Sequence, residues 1–164
     1  MLQPLSHYRE KALALSATQF SAFCPHPVFV VEPYEEMEDT SFRTMQVRIE
    51  PGSRPGLAVA PIKKRAEANA FTMMITLGRA SNNDIPLNAK GVSKFHAYVR
   101  ADGGGYTLTD AGSSYGTEVA GRALQPRVER APLRTGDVVR LGQGVRMTFV
   151  AAADAQRALG EWGG

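Results

Sequence analysis

From residue 57 onward, turns rich in Gly, Asp and Pro cut the chain into short apolar or alternating segments, spaced by about ten residues. That rhythm excludes long amphipathic helices and parallel βαβ units, and it points to an all-β antiparallel sandwich or barrel. Phe71, Met73, Ile75 and Leu77 alternate with Thr72, Met74 and Thr76, and Phe95, Ala97 and Val99 alternate with His96, Tyr98 and Arg100. DGGG at 102–105 joins the second of these strands to Tyr106–Asp110 as a hairpin. A short strand is expected at Val119, then VVRL at 138–141 and VRMTFV at 145–150, with the GQG turn between them. Upstream, VFVVE at 28–32 reads as a buried strand, MQVRI at 45–49 as a half-buried one, and LAVAPI at 57–62 as a strand that Pro61 pushes toward an edge.

Helical periodicity is confined to the two ends. Tyr8, Ala12 and Leu15 fall on one face with Ser6 as the expected N-cap, and a second short helix is expected over Asp154–Leu159. CPHP at 24–27 stops the first helix, which is too short to stand alone in water and is expected to pack on the sandwich. PGSRPG at 51–56 is a loop by composition, and Glu35–Asp39 and Lys63–Arg65 read as solvated charge runs.

Composition narrows the function. The 19 Lys and Arg residues against 16 Asp and Glu give a net charge of +3, and the whole excess lies in residues 71–164 (11 basic against 8 acidic). This is too mild for a nucleic-acid stripe but suits a pocket for one compact anion. No apolar run is long enough for a membrane span, and the amino terminus has no secretory pattern, so a cytoplasmic setting without membrane insertion is expected. A single cysteine, Cys24, excludes an internal disulfide framework, and with His26 and His7 it falls short of a metal site, so neither metal nor cofactor is expected. Ser93, His96 and Asp110 supply the residue types of a hydrolase triad, yet no nucleophile elbow surrounds Ser93 and no metalloprotease or dinucleotide motif is present. No catalytic residue is expected.

Four turn segments carry chemistry: GRASNNDIPL at 78–87, VSKFHA at 92–97, DAGSSYGT at 110–117 and LRTGDVVRLG at 133–142. A phosphorylated threonine brings about −1.5 to −2 charge and three strong acceptor oxygens, which call for donors converging from separate loops. Arg79 offers a planar fork whose charge does not titrate away, Ser93 and Ser114 offer hydroxyls, and Lys94 offers a mobile point charge.

In order and spacing these segments resemble the forkhead-associated (FHA) domain: Gly-Arg, an Asn-Asp-Ile strand, Ser-Arg/Lys-x-His, Asp-x-x-Ser-x-Asn-Gly-Thr and Leu-x-x-Gly-Asp. The resemblance implies an FHA-like (SMAD/FHA) antiparallel β-sandwich of about eleven strands over residues 56–152, with an N-terminal extension (1–55) packed on it and a C-terminal helical tail (153–164). It implies binding of a phosphothreonine-containing protein or peptide, in the service of a Ser/Thr kinase or its substrate. Arg79, Ser93, Lys94 and Ser114 would contact the phosphothreonine, while Gly78, His96, Gly116 and Thr117 would support the loops. The alternative is a structural scaffold with a constitutive partner and weakened phosphopeptide binding. One position departs from the pattern: Tyr115 stands where the family has the asparagine that holds the peptide backbone. Losing that amide removes about 1–2 kcal/mol of hydrogen bonding, and the ring is left to stack on a ligand or to cover the groove.

Overall fold

A computed structural model describes residues 2–37 and 56–162. MQVRI at 45–49 and most of PGSRPG lie outside the described residues, as do Glu38 and Asp39 of the acidic run. Among the described residues, twelve strands form two sheets. They are β1 (Gln3–Pro4), β2 (Val28–Val31), β3 (Ala58–Pro61), β4 (Ile75–Gly78), β5 (Ile85–Pro86), β6 (Ala97–Asp102), β7 (Gly105–Asp110), β8 (Thr117–Val119), β9 (Arg122–Ala123), β10 (Ala131–Leu133), β11 (Val138–Leu141) and β12 (Val145–Val150). One sheet runs β1-β3-β2-β12-β11-β8-β9, the other β10-β7-β6-β4-β5. All neighbours are antiparallel except β4 and β5. Three helices, α1 (Leu5–Ala14), α2 (Ala17–Phe23) and α3 (Ala155–Glu161), add a third layer.

The four consecutive buried residues of β2 follow from this layering. Phe29 and Val31 point into the core between the sheets, with Leu77, Val99, Leu108, Leu141, Met147 and Phe149. Val28 and Val30 point the other way, with Val59 and Val150, into a second core closed by Leu5, Tyr8, Phe20 and Leu159 of the helices. A strand covered on both faces loses its polar alternation. Burying each such side chain is worth about 1.5–3 kcal/mol, and this is what holds α1, marginal on its own, in place. Gln156 of α3 completes the join by donating its side-chain amide to the carbonyls of Ala12 (3.2 Å) and Leu15 (2.9 Å) at the end of α1. Val28–Val31, expected in an extension packed on the sandwich, lies within the seven-stranded sheet between β3 and β12.

Several local expectations change. Ser6 is not the cap: α1 starts two residues earlier than that cap implies, at Leu5 after Pro4, with no side-chain cap. The cap is Ser16, which begins α2 and exchanges hydrogen bonds reciprocally with Gln19. The strand expected from Phe71 begins only at Ile75, and Phe71 and Met73 face solvent. Likewise β6 begins only at Ala97, so Phe95, expected to share the buried face of Ala97 and Val99, is exposed, while His96 is buried and bonded as a structural support. The basic run is not simply solvated. Lys64 reaches the buried carboxylate of Asp84 at 2.6 Å, and it also donates to Asn69 Oδ1 (3.0 Å) and the Met74 carbonyl (2.9 Å). Asp84 is further held by the backbone N–H groups of Arg65 (2.8 Å) and Thr76 (2.8 Å). Burial works against ionising Asp84, but Lys64 and the N–H donors outweigh it and hold its pKa below the usual carboxylate range.

Candidate functional site

Three loops meet where β4, β6 and β7 end: 79–84 after β4, 92–96 before β6, and 111–116 after β7. Gly78 lets the first two touch. A Cβ there would lie 2.3 Å from the Lys94 carbonyl oxygen, closer than any side chain tolerates. Because the side chain is absent, backbone meets backbone: Arg79 N–H donates to Ser93 O (2.9 Å) and Ala80 N–H to Lys94 O (3.2 Å). Asn83, buried, donates its amide to both Lys94 O (2.7 Å) and Ala80 O (2.8 Å). These bonds fix the backbone from which Arg79 and Lys94 project.

His96 ties in the third loop. Its Nδ1 accepts from Ser93 N–H at 3.0 Å, so the proton sits on Nε2, which donates to the Gly116 carbonyl at 2.8 Å. Ser93 Oγ in turn accepts from Ser114 N–H at 3.0 Å. The loop carrying Ser114 is itself folded around Asp110. Oδ1 of that carboxylate accepts from Gly112 N–H (2.8 Å) and Ser113 N–H (2.9 Å), while Oδ2 accepts from the hydroxyls of Thr117 (2.6 Å) and Ser113. Gly116 adopts φ +84°, a left-handed conformation that suits glycine.

Arg79, Ser93, Lys94 and Ser114 therefore come from three loops that are bonded to one another. Arg79 Nε donates to Val92 O at 3.2 Å, which lays the guanidinium along the 92–94 turn. Among the described residues neither Arg79 nor Lys94 forms an ion pair. The acids of these loops are committed elsewhere: Asp110 is fully buried and turned inward onto its own loop, and Asp84 is buried and paired with Lys64. Tyr115, next to Ser114, is 72% exposed and lines an open groove with Tyr34, Lys90, Gly91 and Gln143.

The triad residues do not form a relay. His96 takes the backbone N–H of Ser93 rather than its hydroxyl, and Nε2 lies 4.0 Å from Asp110 while bonding Gly116. No group of three metal-ligating side chains occurs among the described residues, and no helix there is long and apolar enough to cross a membrane. Asn83 and Ser113, which hold two of the loops, escaped the sequence reading. The Asp-x-x-Ser spacing of 110–113 was the available signal for Ser113.

Residues 75–142 match the family model described as FHA domain. This segment is an FHA domain. It contains Arg79, Ser93, Lys94 and Ser114 and the loops that carry them. An FHA domain-containing protein of Arabidopsis thaliana is 32% identical over 94 residues, covering 54% of this chain and 24% of the relative. Protein FraH of a Nostoc species is 40% identical over 63 residues, covering 38% of this chain and 22% of the relative. This chain thus spans about a quarter of the length of the curated relatives it matches. The FHA domain of CT664 from Chlamydia trachomatis superposes with a TM-score of 0.51 at 19% identity, over 76% of this chain and 95% of that one, which shows the shared sandwich fold. FHA domains are in general binding modules rather than enzymes.

The FHA loop bracing makes a pH prediction. Burial chiefly lowers the His96 pKa, against the opposing pull of Gly116 O and Asp110, so the folded state favours the neutral ring. As pH falls below about 6.5 the unfolded chain takes up a proton that the folded chain resists, and stability declines until the folded ring also titrates. Asp110 gives a second, more acidic step. Its burial disfavours the charge, but donors from Ser113, Thr117 and Gly112 prevail and lower its pKa, so stability drops again below about pH 4. Urea midpoints measured from pH 8 to pH 3 are expected to fall in these two stages. A flat profile between pH 8 and pH 5 contradicts the assignment to His96.

Proposed function

We propose that this chain recognises a protein segment phosphorylated on threonine, with Arg79, Ser93, Lys94 and Ser114 gripping the phosphate. The observation that supports this reading is the bonding of the three loops to one another through Ser114 N–H to Ser93 Oγ and Ser93 N–H to His96, while Arg79 and Lys94 on the same loops form no ion pair among the described residues. A dianionic ester supplies the missing counter-charge, and charge-assisted hydrogen bonds on a braced scaffold are strong ones. Binding without turnover is part of the same proposal, since Ser93 Oγ has no base within the His96 geometry. So are a Ser/Thr kinase or its substrate as partner and a cytoplasmic setting.

The test is a fluorescence-anisotropy titration of one peptide in three forms: phosphothreonine, phosphoserine and unmodified threonine. The phosphothreonine form is expected to bind at least about tenfold more tightly than the unmodified one. Phosphoserine is expected to fall between them, for want of the methyl contact. Equal binding of all three forms overturns the reading and favours a constitutive scaffold.

A further inference from the structure

The loop between β3 and β4 contributes nothing to the phosphate clamp, yet it is fixed onto it. The Arg65 guanidinium bonds the Ser81 carbonyl, and Asn69 Nδ2 donates to Asn82 O at 3.0 Å. Both acceptors lie in the loop that follows Arg79, next to the Asn83 that holds Lys94. Lys64 and Asp84 anchor the base of this frame. On it rides Phe71, whose N–H donates to Asn69 Oδ1 at 3.1 Å.

The result is a ladder of rings open to solvent. Phe71 stacks on Phe95 with centroids 5.7 Å apart and planes 15° apart, and Phe95 stacks on Tyr98 at 6.3 Å and 24°. Phe71 is 44% exposed, Phe95 37%, and neighbouring Met73 in the same loop 73%. Scattered apolar side chains on a surface need no explanation, but stacked rings on a loop pinned in place do. Phe95 directly follows Lys94, so the ladder adjoins the phosphate clamp. Lys63 and Arg65 are exposed on the loop against one exposed acid, Glu67, because Asp84 is buried and neutralised by Lys64.

We infer that the Phe71–Phe95–Tyr98 ladder, with Met73, is a second contact for the phosphorylated partner, receiving a large apolar or aromatic side chain that lies beside acidic residues a few positions from the phosphothreonine. The inference rests on the phosphothreonine reading. Stacked rings take apolar and aromatic groups, the flanking cations favour acidic neighbours, and continuity with Lys94 makes the occupant a part of the same ligand.

The test is a peptide library with a fixed central phosphothreonine and degenerate flanks, screened in parallel with a library carrying threonine. The proteins are the unsubstituted chain, Phe71→Ser/Met73→Ser and Met73→Ser alone, each checked by thermal melting. The unsubstituted chain is expected to enrich Phe, Tyr, Leu or Met near Asp or Glu at one flanking position. The double variant is expected to lose that enrichment and to bind the best peptide about tenfold more weakly while still preferring phosphothreonine. Met73→Ser, at an exposed position that leaves the fold intact, should lose part of it. Absence of apolar enrichment, enrichment unchanged in both variants, or equal enrichment from the threonine library overturns the inference. Failure to retain any phosphothreonine peptide over its threonine counterpart is a different result, and overturns the underlying reading along with it.

Discussion

A phosphothreonine peptide is expected to lose about 100-fold in affinity when Arg79 is replaced by alanine, reaching the level of the unphosphorylated peptide. Arg79 is half-buried, and its Nε is committed to Val92 O at 3.2 Å, which leaves the terminal nitrogens to face a ligand as a planar fork. Removing the side chain costs the protein little, about 1 kcal/mol for one hydrogen bond, because the loop backbone is held independently through Gly78, Asn83 and the Ser93 carbonyl. The loss should therefore appear in binding and hardly in the melting temperature. Arg79→Lys should recover part of the affinity, since a lysine keeps the charge without the fork. Isothermal titration with phosphorylated and plain peptides reads both effects. A variant that still distinguishes the two peptides as well as the parent does would remove Arg79 from the clamp.

Asp110→Ala is expected to destabilise the fold by about 3–5 kcal/mol, a large part of a typical domain's stability. The carboxylate accepts from the N–H groups of Gly112 and Ser113 and from the buried hydroxyl of Thr117, and alanine would release the loop donors and leave the Thr117 hydroxyl unmatched in a buried place. Asp110→Asn should cost less. One amide oxygen can still serve the two N–H groups, but the amide nitrogen cannot accept from Thr117. Urea denaturation of the three proteins gives the ranking, and a midpoint for Asp110→Ala within 1 M of the parent would count against so central a role. The destabilised loop carries Ser114, so affinity for phosphothreonine should fall as well in whatever fraction remains folded.

Where the sequence was readable, the reason was local. Val138–Leu141 and Val145–Val150 came out to the residue because the glycines of the GQG turn bound them closely, and the 102–105 turn placed its hairpin equally well. The three loops that meet beside β4, β6 and β7 were legible as turns because each carries its own turn chemistry. Misreadings arose where tertiary contacts decide. Phe71 and Met73 continue the alternate apolar positions of Ile75 and Leu77, yet the Lys64–Asp84–Asn69 frame holds this segment off the sheet. Phe95 is turned outward because its neighbour His96 sits inside, between Ser93 and Gly116. Strands of two or three residues, such as β1, β9 and β10, are too short for any period to register. Ser6 and Ser16 are both plausible caps by type, and only the Gln three residues after Ser16 tells them apart.

The place of β2 also shapes the birth of the molecule. Phe29 pairs across the sheet with Phe149, and Val28 with Val150, so the middle of the larger sheet joins the first strand of real length to the last. A nascent chain emerging from the ribosome carries VFVV without its β12 neighbour until every strand between them has been made. Closing so long a loop is slow, and the exposed valines invite misassociation during the wait. Helices α1 and α2, translated earlier and seated on Val28 and Val30, are positioned to shield one face of that strand through synthesis.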